Sequence, residues 1–241
     1  MKKSILVVVT LVLAGLAWAA PGVQAATKCT FYVVHGLPGL DIAKAADLPV
    51  DVAFNNVYVV KALKFGKTSA ALKLDPGSYA VKVYEAGQGP TAAATPLIQT
   101  AVVLAENEQA SVVLHLTKAG KATLTKFAND LSKIVGGSGR IVVHCLIAGA
   151  DMGFYFLNNK YEGGHPLNLI DWLPAGNKCA MEVSPAWGTS YKLEVIESKP
   201  NAPTFLQKDF SVVANKVLLI YIVGTVRTSS LTVITKALPA K

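Results

Sequence analysis

Charge and cysteine are both scarce in this chain. Of its 241 residues 16% are charged, and 3 are cysteine. Low charge combined with 52% hydrophobic residues excludes a disordered, solvating chain. Three cysteines are too few for a disulfide-stapled miniature fold, and none of them forms a C-x-x-C pair that would open a zinc or redox motif. Acidic residues number 15 against 23 basic ones, giving a formal net charge of +8. The lysines are scattered, and no basic run interleaves with aromatics, so nucleic acid is not an expected partner. Weak attraction to anionic surfaces is all that this excess supports.

Signatures of catalysis are missing as well. There is no G-x-S-x-G elbow for a nucleophilic serine. No H-x-x-x-H pair and no phosphate-cradling glycine loop occurs. Gly136-Gly137-Ser138-Gly139-Arg140 lacks the lysine of such a loop and leads into a strand. Asp41, Asp47 and Asp51 cluster in one loop, whereas Asp151 and Asp171 are far apart. A carboxylate pair for glycoside cleavage is not indicated, and Asp41 and Asp151 read as turn caps.

One long apolar run exists, at the N-terminus. Lys2 and Lys3 precede Ile5 to Ala20, Pro21 and Gly22 break the run, and Val23-Gln24-Ala25 places small residues where a signal peptidase reads. This predicts a signal peptide over 1–25 and a secreted or periplasmic protein. The membrane is then met only through that peptide before cleavage. In an oxidising compartment one disulfide can form. Cys145 with Cys179 is the preferred pair, Cys29 with Cys179 the rival, and three separate buried thiols the remaining alternative.

The rest of the chain is written twice. Phe31-Tyr32-Val33-Val34-His35 has its counterpart in Arg140-Ile141-Val142-Val143-His144, and Ala122-Thr123-Leu124-Thr125 in Leu231-Thr232-Val233-Ile234. The offset of about 110 residues is far longer than a solenoid unit and means two whole domains. Residues 26–133 form the first, 140–241 the second, and the glycine-rich stretch 134–139 joins them.

Each half reads as strands. Val81 and Val83 alternate with Lys82 and Tyr84, and Leu193 and Val195 with Lys192 and Glu194. Ser111 to Leu116 and Val217 to Val223 are near-continuous apolar runs suited to central strands. Turns such as Asp75-Pro76-Gly77 and Gly163-Gly164-His165-Pro166 separate them. About seven or eight strands per half, at this spacing, predict an all-β chain of two tandem sandwiches. Phe127 to Ile134 is the one stretch that suggests a short helical turn.

In their order the motifs resemble a bacterial family of exported proteins designated only as domain of unknown function four-three-nine-seven. The residues that carry the resemblance are Val33-Val34-His35-Gly36-Leu37-Pro38, Pro49-Val50-Asp51-Val52 and Leu74-Asp75-Pro76-Gly77-Ser78-Tyr79 in the first copy. In the second they are Val142-Val143-His144-Cys145, Ala150-Asp151-Met152 and Tyr191-Lys192-Leu193-Glu194-Val195. The first copy departs by an insert near Leu40 to Leu48, the second by a Trp-bearing turn at Pro185 to Gly188. The resemblance implies immunoglobulin-like sandwiches on exported, often cell-surface, proteins, with no established activity and no catalytic residues.

His35 and His144 end equivalent strands and read as rings that tie strand to following loop, since one histidine per domain makes no metal site. The metal-handling or enzymatic alternative rests on His144, Cys145 and His165. Trp172, Trp187, Tyr155 and Tyr161 sit beside turns in the second half. They either plug the sandwich end or stack on a ligand. The resulting expectation is a non-catalytic binding or structural module of the cell envelope or extracellular space. It needs no cofactor and acts through loops or edge strands on a protein or polysaccharide.

Overall fold

The computed structural model describes residues 26–91, 93–149, 152–158, 167–174, 176–184, 190–197 and 204–241, with the backbone path alone for 152–158, 167–172 and 197. The expected signal peptide lies outside them, as do Tyr161, His165 and Trp187.

The first half contains β1 (Cys29–His35), β2 (Val50–Phe54), β3 (Val57–Leu63), β4 (Leu72–Leu74), β5 (Gly77–Glu85), β6 (Ile98–Leu104), β7 (Gln109–Leu116) and β8 (Ala122–Ala128). The second contains β9 (Gly139–Ile147), β10 (Met152–Asn158), β11 (Leu167–Pro174), β12 (Lys178–Val183), β13 (Ser190–Glu197), β14 (Thr204–Ser211), β15 (Lys216–Gly224) and β16 (Thr232–Pro239). The sheet orders are β4-β1-β7-β8 and β3-β2-β5-β6, then β12-β9-β15-β16 and β11-β10-β13-β14. The second pair of sheets repeats the first strand for strand, including the parallel pairs β1–β7 and β9–β15. The chain is therefore all-β and built of sandwiches.

Alternation along each strand fills two cores. Phe31, Val33, Val52, Phe54, Val83 and Leu114 meet between the sheets of the first half. Ile141, Val143, Leu193, Val195, Ile220 and Ile222 meet in the second. On β7 and β15 the residues between them do not face water. Val34 and Val113 pack against Leu146, Leu219, Tyr221 and Val223 in a third core, where the β1-containing sheet lies back to back on the β9-containing sheet. Four layers result, with the β1 and β9 sheets inside and the β2 and β10 sheets outside. This explains why β7 and β15 are buried at almost every position: both of their faces are covered.

The seam also has polar fastenings. Tyr221 Oη donates to Ser111 Oγ at 2.7 Å, and Asn129 Nδ2 donates to the same oxygen at 2.9 Å. Gly36 lies so close to the second half that a Cβ there would come within 2.6 Å of Val223. The insert contributes Asp41, whose side chain is 1% exposed. Its carboxylate accepts from Arg227 Nη2 at 3.1 Å, and from Thr228 Oγ1 and Ser230 Oγ at 2.7 Å each. Asp41 thus clasps the other half rather than capping its own turn.

The helical turn expected over Phe127 to Ile134 does not form. Strand β8 runs on to Ala128, and a 3₁₀ turn comes only at Val135–Gly137. Leu131 and Ile134 carry helix-like spacing because both drop into the seam. Gly136 and Gly137, both at φ 69, then turn the chain into β9.

Candidate functional site

The histidines come first, since they were the sharpest chemical hint. His35 behaves as expected of a structural ring. Its Nε2–H donates to the Leu48 carbonyl at 2.7 Å, and Nδ1 accepts from the Leu37 N–H at 3.3 Å. His144 does not. It stacks on Tyr221 with ring centroids 5.1 Å apart and meets Phe127 of the first half at 4.2 Å. Neither ring nitrogen has a hydrogen-bond partner among the described residues. Burial pulls both rings down to about 4, and Lys178 adds to the shift at His144.

His144 and Cys145 are neighbours on β9, so their side chains leave opposite faces of the sheet. The imidazole enters the seam and the thiol enters the second core. They cannot share one ion, which removes two members of the proposed ligand set. Among the described residues no three of His, Cys, Asp and Glu come together to hold a metal. Cys29, Cys145 and Cys179 are separate thiols. Cys179 lies opposite Val143, two positions from Cys145, so the pair expected to bridge is diagonal. Diagonal side chains are about 7–8 Å apart, beyond disulfide reach. Burial raises Cys145 to about 12 and Cys29 to about 11, so neither is a ready nucleophile.

An open cleft of about 410 Å³ runs beside the seam, lined by Arg140, Val142, His144, Lys178, Met181 and Glu182 among others. Its guanidinium is already committed. Arg140 pairs with Glu182 Oε1 at 2.6 Å and Asp130 Oδ2 at 3.1 Å, and also donates to Ser132 Oγ at 3.2 Å. The cleft therefore lacks a free fork for an anion, and no nucleophile there is paired with a base.

The outer sheet of the second half gathers the residues of greater interest. Tyr155 on β10 lies opposite Glu194 on β13, and Glu194 lies opposite Gln207 on β14. Leu193 and Val195 are fully buried, so Glu194 is at an outward position and Tyr155 shares that register. On the other side of Tyr155, β11 bulges between the Phe154–Leu173 and Phe156–Ile170 pairs, and the bulge holds Asp171 and Trp172. Four strands thus bring Tyr155, Glu194 and Gln207 into one row across the sheet, with Trp172 in the bulge beside Tyr155. At the spacing of neighbouring strands the row is about 14 Å long. Gln207 Nε2 donates to Glu194 Oε1 at 2.5 Å.

The first half has the same row with different residues. Ala53 on β2 lies opposite Tyr58 on β3 and Lys82 on β5, and Lys82 lies opposite Gln99 on β6. Gln99 thus corresponds to Gln207, Lys82 to Glu194, and Ala53 to Tyr155. Sequence reading singled out Trp172 and Tyr155 but missed Glu194, Gln207, Lys82 and Gln99, because polar residues on a strand look alike until the register is known. Aligning Tyr79-Ala80-Val81-Lys82 on Tyr191-Lys192-Leu193-Glu194 was the available signal.

A family model described as a domain of unknown function, DUF4397, matches residues 30–150. No curated protein matches the chain. Among solved structures, the chain is similar to a proposed cell adhesion protein from Bacteroides uniformis, at 11% identity and a TM-score of 0.30, covering 89% of this chain and 99% of that one. It is also similar to a structure described as alpha-glucan binding by a streptococcal virulence factor, at 7% identity and TM-score 0.26, covering 86% and 96%. A proposed cell adhesion protein from Bacteroides ovatus matches at 10% identity and TM-score 0.23, covering 90% and 99%.

Proposed function

The chain belongs to the DUF4397 family of unknown function, and from that premise we propose that it is an exported, non-catalytic binding module that holds a polysaccharide on the outer sheet of its second half. Export rests on the Lys2-Lys3, Ile5–Ala20 and Val23-Gln24-Ala25 pattern. The cell envelope or the extracellular space is the setting that follows. Residues 26–133 and 140–241 act as the two sandwich units, joined through 134–139.

The observation that carries the reading is the in-register row of Tyr155, Glu194 and Gln207, with Trp172 in the bulge beside Tyr155. Sugar rings present apolar faces and equatorial hydroxyls. Aromatic side chains offer the first a stacking surface, and a carboxylate beside an amide offers the second acceptors and donors. A strip of roughly 14 Å, three strand spacings wide, spans more than one sugar unit. Its carboxylate with a described side chain, Glu194, accepts from Gln207, which supports holding a chain rather than cleaving it.

Affinity electrophoresis of the full chain through gels cast with neutral polysaccharides tests this. Retardation is expected in at least one gel. Trp172→Ala and Tyr155→Ala should each weaken it about tenfold, the equivalent of roughly 1.4 kcal/mol of stacking. If Trp187→Ala and Tyr161→Ala abolish retardation while Trp172→Ala does not, the site belongs to the loops instead. Free migration through every polysaccharide would refute the reading.

A further inference from the structure

The corresponding face of the first half is not a faded copy of that strip. We propose that it is a second and separate binding site, for a polysaccharide bearing repeated carboxylate or sulfate groups, centred on Tyr58, Lys61, Lys82 and Gln99. The argument starts from the exchange of Glu194 for Lys82 at one register position. Loss of function after duplication would leave a neutral or apolar residue there. Instead the charge is inverted while the neighbouring amide, Gln99 for Gln207, is kept.

The surroundings of Lys82 fit an anion. Lys61 Nζ stands 4.6 Å over the Tyr58 ring, so a second ammonium is held on this face beside an aromatic surface. Lys82 Nζ donates to Asn56 Oδ1 at 3.1 Å, a neutral partner that fixes its position and leaves its charge unspent. Neither lysine pairs with a carboxylate among the described residues. Of the acids in this half, Asp51 is close enough for its charge to act on Tyr58, though not to pair with either lysine. Asp51 is buried and accepts from the Ala62 and Gly87 N–H groups at 2.8 and 2.9 Å, and Glu85 pairs with Lys44 at 3.0 Å. Ala53, in the position of Tyr155, is fully buried, so the middle of the row is low and its ends carry the contacts. The result is a shallow strip with an aromatic and the Lys61 ammonium at one end, an amide at the other and the Lys82 ammonium between. Acidic sugars need that combination: a surface for the ring, a donor for hydroxyls and separated cations for regularly spaced anions.

The two strips are at opposite poles of the four-layer stack, about 30 Å apart at the usual 10 Å between sheets. Failure of one can therefore be told from failure of the other. The test is co-electrophoresis of the full chain with polygalacturonate, with chondroitin sulfate and with dextran as the neutral control, in about 50 mM and 300 mM salt, where screening differs more than twofold in length. Retention by at least one polyanion is expected, weaker at the higher salt, and the polyanion held more tightly identifies the anionic group. Lys82→Glu should weaken it tenfold or more, Lys82→Gln and Tyr58→Ala about fivefold each, and Trp172→Ala not at all. The exposed Lys121→Glu serves as the control for overall charge. The proposal is overturned if Lys121→Glu weakens retention as much as Lys82→Glu does, if Lys82→Glu leaves it intact while the thermal midpoint is unchanged, or if neither polyanion is retained.

Discussion

His35 closes β1, whereas His144 lies inside β9, which runs on to Ile147. His35 is bound at Nε2 by the Leu48 carbonyl at the end of the insert, and at Nδ1 by the N–H of Leu37 just beyond the strand. His144 has neither nitrogen bonded among the described residues; it stacks flat on Tyr221 and meets Phe127 at a tilt. The repeated Val-Val-His suggests that the two rings are equivalent and that each ends its strand, but β9 continues past His144. The faces also differ by one position: His35 has the parity of Phe31 and Val33 in the first core, and His144 that of Val142 in the seam. An unpartnered buried ring is a cost of about 1–3 kcal/mol, and that cost depends on pH. With its pKa lowered from 6.5 to about 4, the folded state leaves His144 neutral where the unfolded chain would protonate it. Its contribution is therefore intact above pH 6.5 and is lost as pH falls toward 4. We expect His144→Leu to be neutral or slightly stabilising at pH 7.5, and to gain about 2 kcal/mol over the parent at pH 5. Urea denaturation at the two pH values measures this. An equal effect at both would mean that the ring is not kept neutral by burial.

Among the strands, β7 and β15 depart most from the alternation of an ordinary half-exposed sheet. Leu219 and Tyr221 enter the seam, and Ile220 and Ile222 enter the second core, all of them fully buried. Truncation on either face should therefore cost alike. Leu219→Ala and Ile222→Ala are each expected to lose about 3 kcal/mol, within the usual span for buried aliphatics. A loss below 1 kcal/mol for Leu219→Ala alone would mean that the seam is open in solution. The sequence showed these strands as apolar runs and placed them centrally. It could not show what covers the second face, because burial by a neighbouring sheet and burial by a twin domain leave the same mark on a strand. The outer strands were legible in the other direction. Their alternation in Val81-Lys82-Val83 and Leu193-Glu194-Val195 is that of a sheet with one face in water. What stayed hidden was which of those polar residues line up across four strands, since register depends on turns and bulges such as the one that carries Trp172.

For the molecule as a whole, the third core joins what the repeat separates. Two independent sandwiches would unfold as two units, each with its own midpoint. Two sandwiches sharing an apolar seam, the Asp41 clasp and the Tyr221–Ser111 bond should unfold together. Calorimetry is expected to give one transition for the parent chain. Gly36→Val, which drives a side chain into Val223, should strain the seam by about 1–3 kcal/mol without entering either sandwich core. In that variant the single peak should split in two. A parent chain that already melts in two steps would show that the halves are merely neighbours.

The back-to-back arrangement also bears on how such a chain can change over generations. Once duplicated units have turned their apolar sheets toward each other, deleting either copy strips the survivor of its cover and leaves a broad greasy surface prone to aggregation. Recombination that trades one copy for a distant relative meets the same obstacle, because the newcomer must match Gly36, Val113 and Tyr221 as well as fold. The outward strips carry no such obligation, so they are where divergence is cheapest.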